Sequence, residues 1–271
     1  MTWSRFFSYE AFGVSSPFDP TFHYVSSPIL PPSVLGALRL LFAVYTLVTD
    51  IVTLTDDPTS YLSYFTNLTY TGLTAYFWAA GVQTIAFVLR RRKSYPLQTW
   101  PRFLQLLHVV LYSTVTVFPI IVTAVYWALI ANSTTFATRF SSWSNISKHA
   151  MNTFFALFEI VAHGGPSPWM HLVPLIVILG FYVAVAYITR ATEGFYVYSF
   201  LNPTQEGGLL AAYIIGIALG CCVVFCVVKG LCHLRHRISV RYGRFEDGSE
   251  AGALDEWEEV AAPGKESSTD V

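Results

Sequence analysis

Six apolar stretches, separated by shorter polar connections, occupy most of the chain between residues 34 and 232. Their approximate limits are 34–55, 62–89, 103–131, 148–163, 169–189 and 209–232. A helix needs about 20 mainly apolar residues to cross a bilayer, and the fourth stretch alone falls short of this length. It is short because Gly164-Gly165-Pro166 ends it. The pattern predicts an all-α fold, namely a polytopic membrane protein with a six-helix transmembrane bundle.

The fourth stretch carries a stripe of polar residues. At about 100° per residue, His149, Asn152, Glu159 and His163 fall within roughly 80° of one helix face. Ionisable groups are costly against lipid, so this face is a candidate functional site. Hydrogen bonding between neighbouring helices is the alternative.

Glu159 lies deep in the predicted bundle. For this residue we expect either a protonated carboxyl or pairing with a donor such as Gln83 or His108. A structural hydrogen bond and a proton-relay role both remain open.

The composition is that of a membrane protein, since 54% of the residues are hydrophobic and 12% are charged, whereas soluble domains contain about 25% charged residues. The four cysteines lie in or just after the last stretch and predict no disulfide framework; they are Cys221, Cys222, Cys226 and Cys232. We find no P-loop, dinucleotide fingerprint or paired-cysteine zinc motif. We therefore expect no cofactor and no metal site, and topology explains the basic runs better than nucleic-acid binding does.

Lys and Arg residues cluster in residues 90–102 and 229–244. Because such residues mark cytoplasmic connections, both segments and both termini are predicted to be cytoplasmic. The 132–147 connection contains the glycosylation acceptors Asn132-Ser133-Thr134 and Asn145-Ile146-Ser147 and is predicted to be lumenal. The chain then divides into a cytoplasmic or interfacial segment (1–33), a transmembrane domain (34–232) and a basic stretch with an acidic disordered tail (233–271). The endoplasmic reticulum and the plasma membrane are both compatible locations.

Thr66 and His149 lie near the predicted lumenal ends of the second and fourth stretches. Thr66 is expected about five residues, or roughly 7 Å, inside its helix, which is a depth compatible with that of His149. A hydroxyl becomes a nucleophile when a base takes its proton, and a neutral imidazole suits that task. Asn152 is expected to orient the ring, and Asn67 is a candidate oxyanion donor. Other hydroxyls of the same helix are rivals for the role of Thr66: Thr69, Thr71 and Thr74.

Two motifs allow a comparison with known families. One is the spacing Trp143-x5-His149-x9-Glu159-x3-His163, and the other is the octet GFYVYSFL at residues 194–201. Together with Phe65-Thr66 and Phe118-Pro119, they resemble the androgen-induced (FAR-17a/AIG-like) membrane protein family over about residues 60–201. The chain departs from the family where a His pair is replaced by His163-Gly164.

The resemblance implies a chemistry. Animal members of that family look like threonine hydrolases that cleave fatty acid esters of hydroxy fatty acids inside a helical membrane fold. By this resemblance the nucleophile is Thr66 and the base is His149.

We therefore expect a lipid-ester hydrolase whose partners are bilayer lipids and a lipid ester substrate, and we identify no protein partner. Arg190 is a candidate for holding a substrate carboxylate, or else pairs with Glu193. One alternative is a non-enzymatic membrane protein that binds a lipid or a partner. The other is a haem- or metal-binding protein that uses the histidines of the cytoplasmic side: His108, His163, His171, His233 and His236.

Overall fold

The structure, a computed structural model, describes residues 8–242. Residues 1–7 and 243–271, which include the acidic tail predicted from the sequence, lie outside the described part. The described residues form helices, turns and irregular connections and contain no β-strand.

Seven α-helices of eight or more residues make up the described part. They are α1 (Pro32–Asp56), α2 (Phe65–Leu89), α3 (Arg102–Val125), α4 (Arg139–Ile146), α5 (Asn152–Ala162), α6 (Leu172–Glu193) and α7 (Leu209–Arg241). Two π-helical turns extend this set: Tyr126–Ile130 continues α3, and Ser147–Met151 joins α4 to α5. Single turns of 3-10 helix occupy several of the connections.

Five of the described helices are long and apolar enough to cross a membrane. These spans are Pro32–Asp56, Phe65–Leu89, Arg102–Ile130, Trp169–Glu193 and Leu209–Arg241. The prediction of an all-α polytopic membrane protein is confirmed. Of the six predicted membrane helices, five have the length and apolar composition of a span in the described part of the chain. The fourth predicted helix, expected at 148–163, is replaced by two α-helices, α4 and α5, that a π turn joins between Arg139 and Ala162. The longer of these two helices, α5, has 11 residues, which is too few to cross a bilayer unaided.

Two helix limits differ from the prediction in ways that matter for the site. The second helix begins at Phe65, because Tyr61–Ser63 form a separate 3-10 turn. Thr66 therefore lies in the first turn of α2 rather than about five residues inside it. The last helix continues to Arg241, beyond the predicted limit of 232, because no Gly or Pro follows Gly230 in this stretch.

The two basic segments lie at the same end of the bundle, which we call the basic end. The N-terminal segment connects them there: the Tyr95 hydroxyl donates to Asp19 at 2.7 Å, and the rings of His23 and His236 are 6.5 Å apart. The 132–147 connection lies at the opposite end, where the structure joins it to the beginning of α5. This arrangement agrees with the charge pattern, and the side of the membrane that each end faces stays a prediction.

Residues 8–31 pack against the basic end. Val14, Phe18, Tyr24 and Val25 are buried there, in a cluster with apolar side chains from α2, α3 and the connection between them. This segment, expected from the sequence to be interfacial, therefore contributes part of the core.

A fully buried ion pair lies in the middle of the bundle. Arg39 of α1 donates to Glu159 of α5 through Nε at 2.9 Å and through Nη2 at 2.8 Å. The Tyr76 hydroxyl donates to the same carboxylate at 2.8 Å. The remaining guanidinium nitrogen donates to Thr84 at 2.8 Å and to the backbone carbonyl of Tyr24 at 3.1 Å.

The expected partners of Glu159 were therefore wrong. Gln83 instead accepts the backbone N–H of Leu97 at 2.9 Å, and the ring of His108 stacks on that of Tyr76. The physical reason is that a buried carboxylate is best compensated by a full positive charge in a bidentate geometry. Arg39 supplies both.

Two glycines allow α1 and α2 to approach closely. A Cβ atom on Gly36 would come within 2.7 Å of Ile85, and one on Gly81 within 2.8 Å of Leu40. Small residues at such positions are typical of tightly packed membrane helices. This packing brings Arg39 next to Thr84 of α2.

Candidate functional site

A polar cavity of about 440 Å³ lies at the opposite end of the bundle from the basic segments. Its wall comes from the end of α1, the connection between α1 and α2, the first turn of α2, the two π turns, part of α4 and residues 197–198. Thr66 and His149 both line this cavity. The two residues predicted to form the catalytic pair thus share one cavity.

An apolar cavity of about 200 Å³ lies beside the polar one, between α3, α6 and α7. Thr66, Tyr126, Ile130 and Tyr198 line both cavities. Most of the apolar cavity is formed by Ile, Val, Leu and Phe side chains. Thr66 therefore lies where apolar and polar surroundings meet.

His149 is held in place by aromatic residues. Its ring is stacked on that of Tyr126, with the ring centroids 3.5 Å apart and the planes 2° from parallel. The indole Nε1 of Trp127 donates to the backbone carbonyl of His149 at 2.9 Å. Both members of the stack lie in π turns, which occur frequently at functional sites. Tyr126, which the sequence did not reveal, fixes the plane of the imidazole.

Asn152 is fully buried, and neither its Oδ1 nor its Nδ2 has a hydrogen-bond partner among residues 8–242. The Nδ1 atom of His149 is likewise buried and without a partner among these residues. Leaving such a group unsatisfied costs about 1–3 kcal/mol. No hydrogen bond within the described part of the chain joins His149 to Thr66 or to Asn152, so the predicted residues are close in the fold without forming a preassembled triad.

Asn67 and Lys148 connect the two halves of the site. Lys148 donates to the Oδ1 atom of Asn67 at 2.6 Å, and the Nδ2 atom of Asn67 donates to the Tyr61 carbonyl at 2.8 Å. Because these residues are the sequence neighbours of His149 and Thr66, their hydrogen bond brings the π turn against the start of α2. The Lys148 ammonium also lies 4.8 Å from the centre of the Tyr61 ring.

Lys148 was missed at the sequence level, although a lysine at the rim of an apolar stretch is a recognisable signal. Asp50 of α1 was missed as well. Its carboxylate accepts hydrogen bonds from Tyr61 at 2.5 Å and from Thr74 at 2.7 Å. Tyr61 therefore contacts both Asp50, through its hydroxyl, and the Lys148 ammonium, through its ring.

Tyr198, in the connection after α6, lies at the first turn of α2. Burial raises the pKa of its hydroxyl, whereas interactions with the Thr66 side chain, the Tyr182 side chain and the backbone N–H groups of Thr66 and Phe65 lower that pKa. No side chain caps this end of α2 by a hydrogen bond, and the first N–H groups of a helix have no partner within the helix. The hydroxyl therefore lies beside both the candidate nucleophile and the first backbone N–H groups of α2.

Glu159 and Arg190, two further residues singled out in the sequence, line neither cavity. Arg190 is exposed, and its guanidinium lies 4.8 Å from the centre of the Tyr196 ring. It does not pair with Glu193: the ion pairs found within residues 8–242 are Arg39–Glu159 and Arg102–Glu10.

The histidines of the basic end, which the sequence offered as candidate haem or metal ligands, contact neighbouring side chains. His163 stacks on Tyr112, and His171 hydrogen-bonds Ser113 through Nδ1 at 2.6 Å. In the described part of the chain, no group of three or more His, Cys, Asp and Glu side chains is arranged to hold a metal ion.

Comparison with known proteins gives one match. A family model described as FAR-17a/AIG1-like protein matches residues 34–233. This range contains every residue that lines the apolar and the polar cavity, including Thr66 and His149. No curated protein and no solved structure matches the chain.

Proposed function

The chain belongs to the FAR-17a/AIG1-like protein family, and we propose that it is an integral membrane hydrolase of lipid esters with Thr66 as nucleophile and His149 as base. The observation that carries the proposal is the position of Thr66 at the junction of the apolar and polar cavities. An ester attacked at this point has its acyl chain in apolar surroundings and its alcohol portion in polar surroundings. Such a division suits a lipid substrate.

The chemistry proceeds in two halves. The Thr66 hydroxyl attacks the ester carbonyl carbon while His149 accepts the hydroxyl proton. The bond to the alcohol oxygen then breaks, and His149 returns the proton to the departing alcohol. In the second half, water attacks the acyl-threonine with His149 again as base, which releases the carboxylic acid and restores Thr66. The contact between Thr66 and His149 forms on substrate binding, since catalytic hydrogen bonds often tighten in the complex.

Tyr198 and the first turn of α2 are the proposed oxyanion donors, in place of Asn67. The Tyr198 hydroxyl lies beside Thr66 and the first N–H groups of the helix, and donors in this position stabilise the negative oxygen of a tetrahedral intermediate. Asn67 has another role, because its side chain is already bonded to Tyr61 and Lys148.

Within this function, a fatty acid ester of a hydroxy fatty acid is the proposed substrate. Such an ester carries a free carboxylate. The wall of the polar cavity contains Asp56 and Asp57 as well as Lys148, and Lys148 is the lining cation that can pair with the substrate carboxylate. Lys148 takes the role that the sequence interpretation gave to Arg190, which lines neither cavity. Asn152, buried one turn from His149, is a candidate for adjusting the ring once substrate is bound.

The substrate reaches the site from the bilayer in this proposal. Gly180 of α6 lines the apolar cavity, is exposed, and has no atom within 4 Å of the place where a Cβ would lie. The wall is therefore open at that point. We further propose that the polar cavity faces the lumen, with both termini cytoplasmic, in the endoplasmic reticulum or plasma membrane.

A lipid-binding protein without catalysis is the second candidate, favoured by the missing hydrogen bond between Thr66 and His149 in the described structure. Hydrolysis by purified full-length protein, followed by mass spectrometry of the released acid and labelling with a fluorophosphonate probe, separates the two. We expect Thr66→Ala and His149→Ala each to abolish turnover, to the same extent as the double variant, because nucleophile and base act together.

Two variants serve as controls for this experiment. Thr66→Ser should keep part of the activity, because the hydroxyl remains. Thr69→Ala should stay close to wild type, since Thr69 is on the same helix but lines neither cavity. Wild-type turnover in Thr66→Ala refutes the mechanism, and a folded wild type with neither turnover nor labelling favours the lipid-binding protein.

A further inference from the structure

A second polar cavity, also of about 440 Å³, lies at the basic end. It is bounded by the loop of residues 164–168, by His23 of the N-terminal segment and by the last turns of α7. None of its lining residues lines either cavity of the candidate active site. We call it the basic cavity.

The basic cavity has an unusual charge balance. Its lining contains Lys229, Arg235 and three histidines, and it contains no Asp or Glu. Neither Lys229 nor Arg235 forms an ion pair with a carboxylate within the described residues. The nearby carboxylate of Asp19 is engaged elsewhere, since it accepts the Tyr95 hydroxyl at 2.7 Å and the backbone N–H of His23 at 2.8 Å.

The two cations are held by backbone carbonyls. Lys229 donates to the carbonyl of Ser167 at 2.5 Å, and Arg235 donates to those of Ile160 and Gly165 at 2.6 and 2.8 Å. These bonds fix the side chains, and the Lys229 ammonium also lies 4.8 Å from the centre of the Trp169 ring, but no carboxylate of the described residues pairs with either charge. They also leave other N–H groups of both side chains available, because an ammonium has three donors and a guanidinium has five.

We propose that the basic cavity binds a phosphate group, carried either by a membrane lipid headgroup or by free phosphate. A phosphate supplies several acceptor oxygens and one or two negative charges, which match a fixed Lys–Arg pair. The position of the cavity at the end of the bundle gives it access to headgroups as well as to solutes. If the two cations served only to cap the carbonyls of the 160–167 segment, added phosphate would have no site there.

Inorganic phosphate is the first probe. Full-length protein in an uncharged detergent should bind it saturably by titration calorimetry, with a rise in the unfolding temperature, at constant ionic strength set by chloride. Lys229→Gln keeps a donor for the Ser167 carbonyl and removes the charge, and His233→Glu reverses the charge balance at an exposed lining position. Each should weaken binding about tenfold or more, the usual effect of losing a charged hydrogen bond.

Arg237→Glu is the matched control, because Arg237 is an exposed base on the same helix that does not line the cavity. It should bind phosphate as the wild type does. Lipid nanodiscs distinguish the two sources of phosphate, the headgroup and the free solute. The wild-type protein is compared in phosphatidylcholine alone and in phosphatidylcholine with added phosphatidylinositol 4-phosphate. Stabilisation by the phosphoinositide that free phosphate reverses indicates the headgroup. Phosphate binding unaffected by the phosphoinositide indicates a free solute.

The proposal is overturned if neither inorganic phosphate nor the phosphoinositide binds saturably. It is equally overturned if Arg237→Glu weakens binding as much as His233→Glu does, since the effect would then be general charge attraction. The His233 side chain is exposed and forms no hydrogen bond among the described residues, so His233→Glu tests the site even if Lys229→Gln is unstable.

Discussion

Replacing Glu159 by Gln removes the negative charge from the centre of the bundle and leaves Arg39 charged and completely buried. Gln has nearly the shape of Glu, so packing is conserved and the change in stability reports on the charge. The Gln carbonyl can accept one of the two bonds from Arg39, but its NH2 group cannot accept the other. We therefore expect Glu159→Gln to be strongly destabilising.

The expected loss in the free energy of unfolding is about 3–5 kcal/mol, the usual cost of removing one partner of a buried ion pair. For a protein of this size, 1 kcal/mol lowers the unfolding temperature by roughly 2–4 °C. The unfolding temperature should thus fall by about 6–20 °C. Tyr76 should add little to this loss, because its hydroxyl can bond the Gln side chain instead.

A double-mutant cycle measures the coupling. Arg39→Met and Glu159→Met should each be destabilising, whereas the double variant should be more stable than either, since an apolar pair can replace a buried ion pair at little cost. The unfolding temperatures are measured for the purified protein in one detergent. Glu193→Gln, an exposed acid at the end of α6, is the control and should leave stability unchanged.

An unfolding temperature of Glu159→Gln within about 3 °C of wild type, equivalent to roughly 1 kcal/mol, would show that the charge of the pair contributes nothing. Activity supplies a second test. Glu159 lines neither cavity, so the folded variant should keep its turnover at low temperature. A selective loss of turnover in folded protein would instead support a proton-relay role.

Three further predictions address access, substrate and topology. Gly180→Leu should cut hydrolysis of long-chain esters about tenfold or more while stabilising the helix by up to about 1 kcal/mol. The control is Gly216→Leu, because Gly216 has the same open space around it but does not line the apolar cavity. Equal rates of hydrolysis for the two variants would contradict lateral entry. Lys148→Met should raise KM about tenfold for esters with a free carboxylate, as expected for the loss of one charged contact, and should leave KM unchanged for the corresponding methyl esters. An equal rise in KM for the two kinds of ester would contradict a carboxylate site. Asn132→Gln should abolish N-glycosylation, because Asn132 is exposed and its amide makes a long bond of 3.5 Å to the Ile130 carbonyl, whereas the half-buried Asn145 amide donates to the Thr135 carbonyl at 2.9 Å. Modification of an acceptor engineered into residues 90–102 would contradict the topology.

The long helices were predictable because a bilayer span requires an apolar run that the sequence displays directly. The 139–162 segment was harder. Its polar residues interrupt the apolar pattern, and π turns have no sequence signature that distinguishes them from α-helix. The prediction there identified the important stretch but not its local geometry.

The candidate site was predictable only in part. Thr66 and His149 were found from depth and from family spacing, and both line the same cavity. Tyr126 and Tyr198 were not found, because aromatic residues near helix ends are common at membrane interfaces and their roles depend on tertiary contacts. Arg39 could have been found, since an arginine inside an apolar helix requires a buried acid as its partner.

The opening beside Gly180 has a kinetic consequence. If esters enter the apolar cavity from the bilayer, the relevant substrate concentration is the mole fraction of ester among the surrounding lipids, not the amount per volume of buffer. Diluting the ester with inert phospholipid at constant bulk concentration should then slow the reaction, whereas diluting the proteoliposomes with buffer should leave the rate per protein unchanged. The enzyme would work in a two-dimensional solvent, and its Michaelis constant would be a property of the membrane.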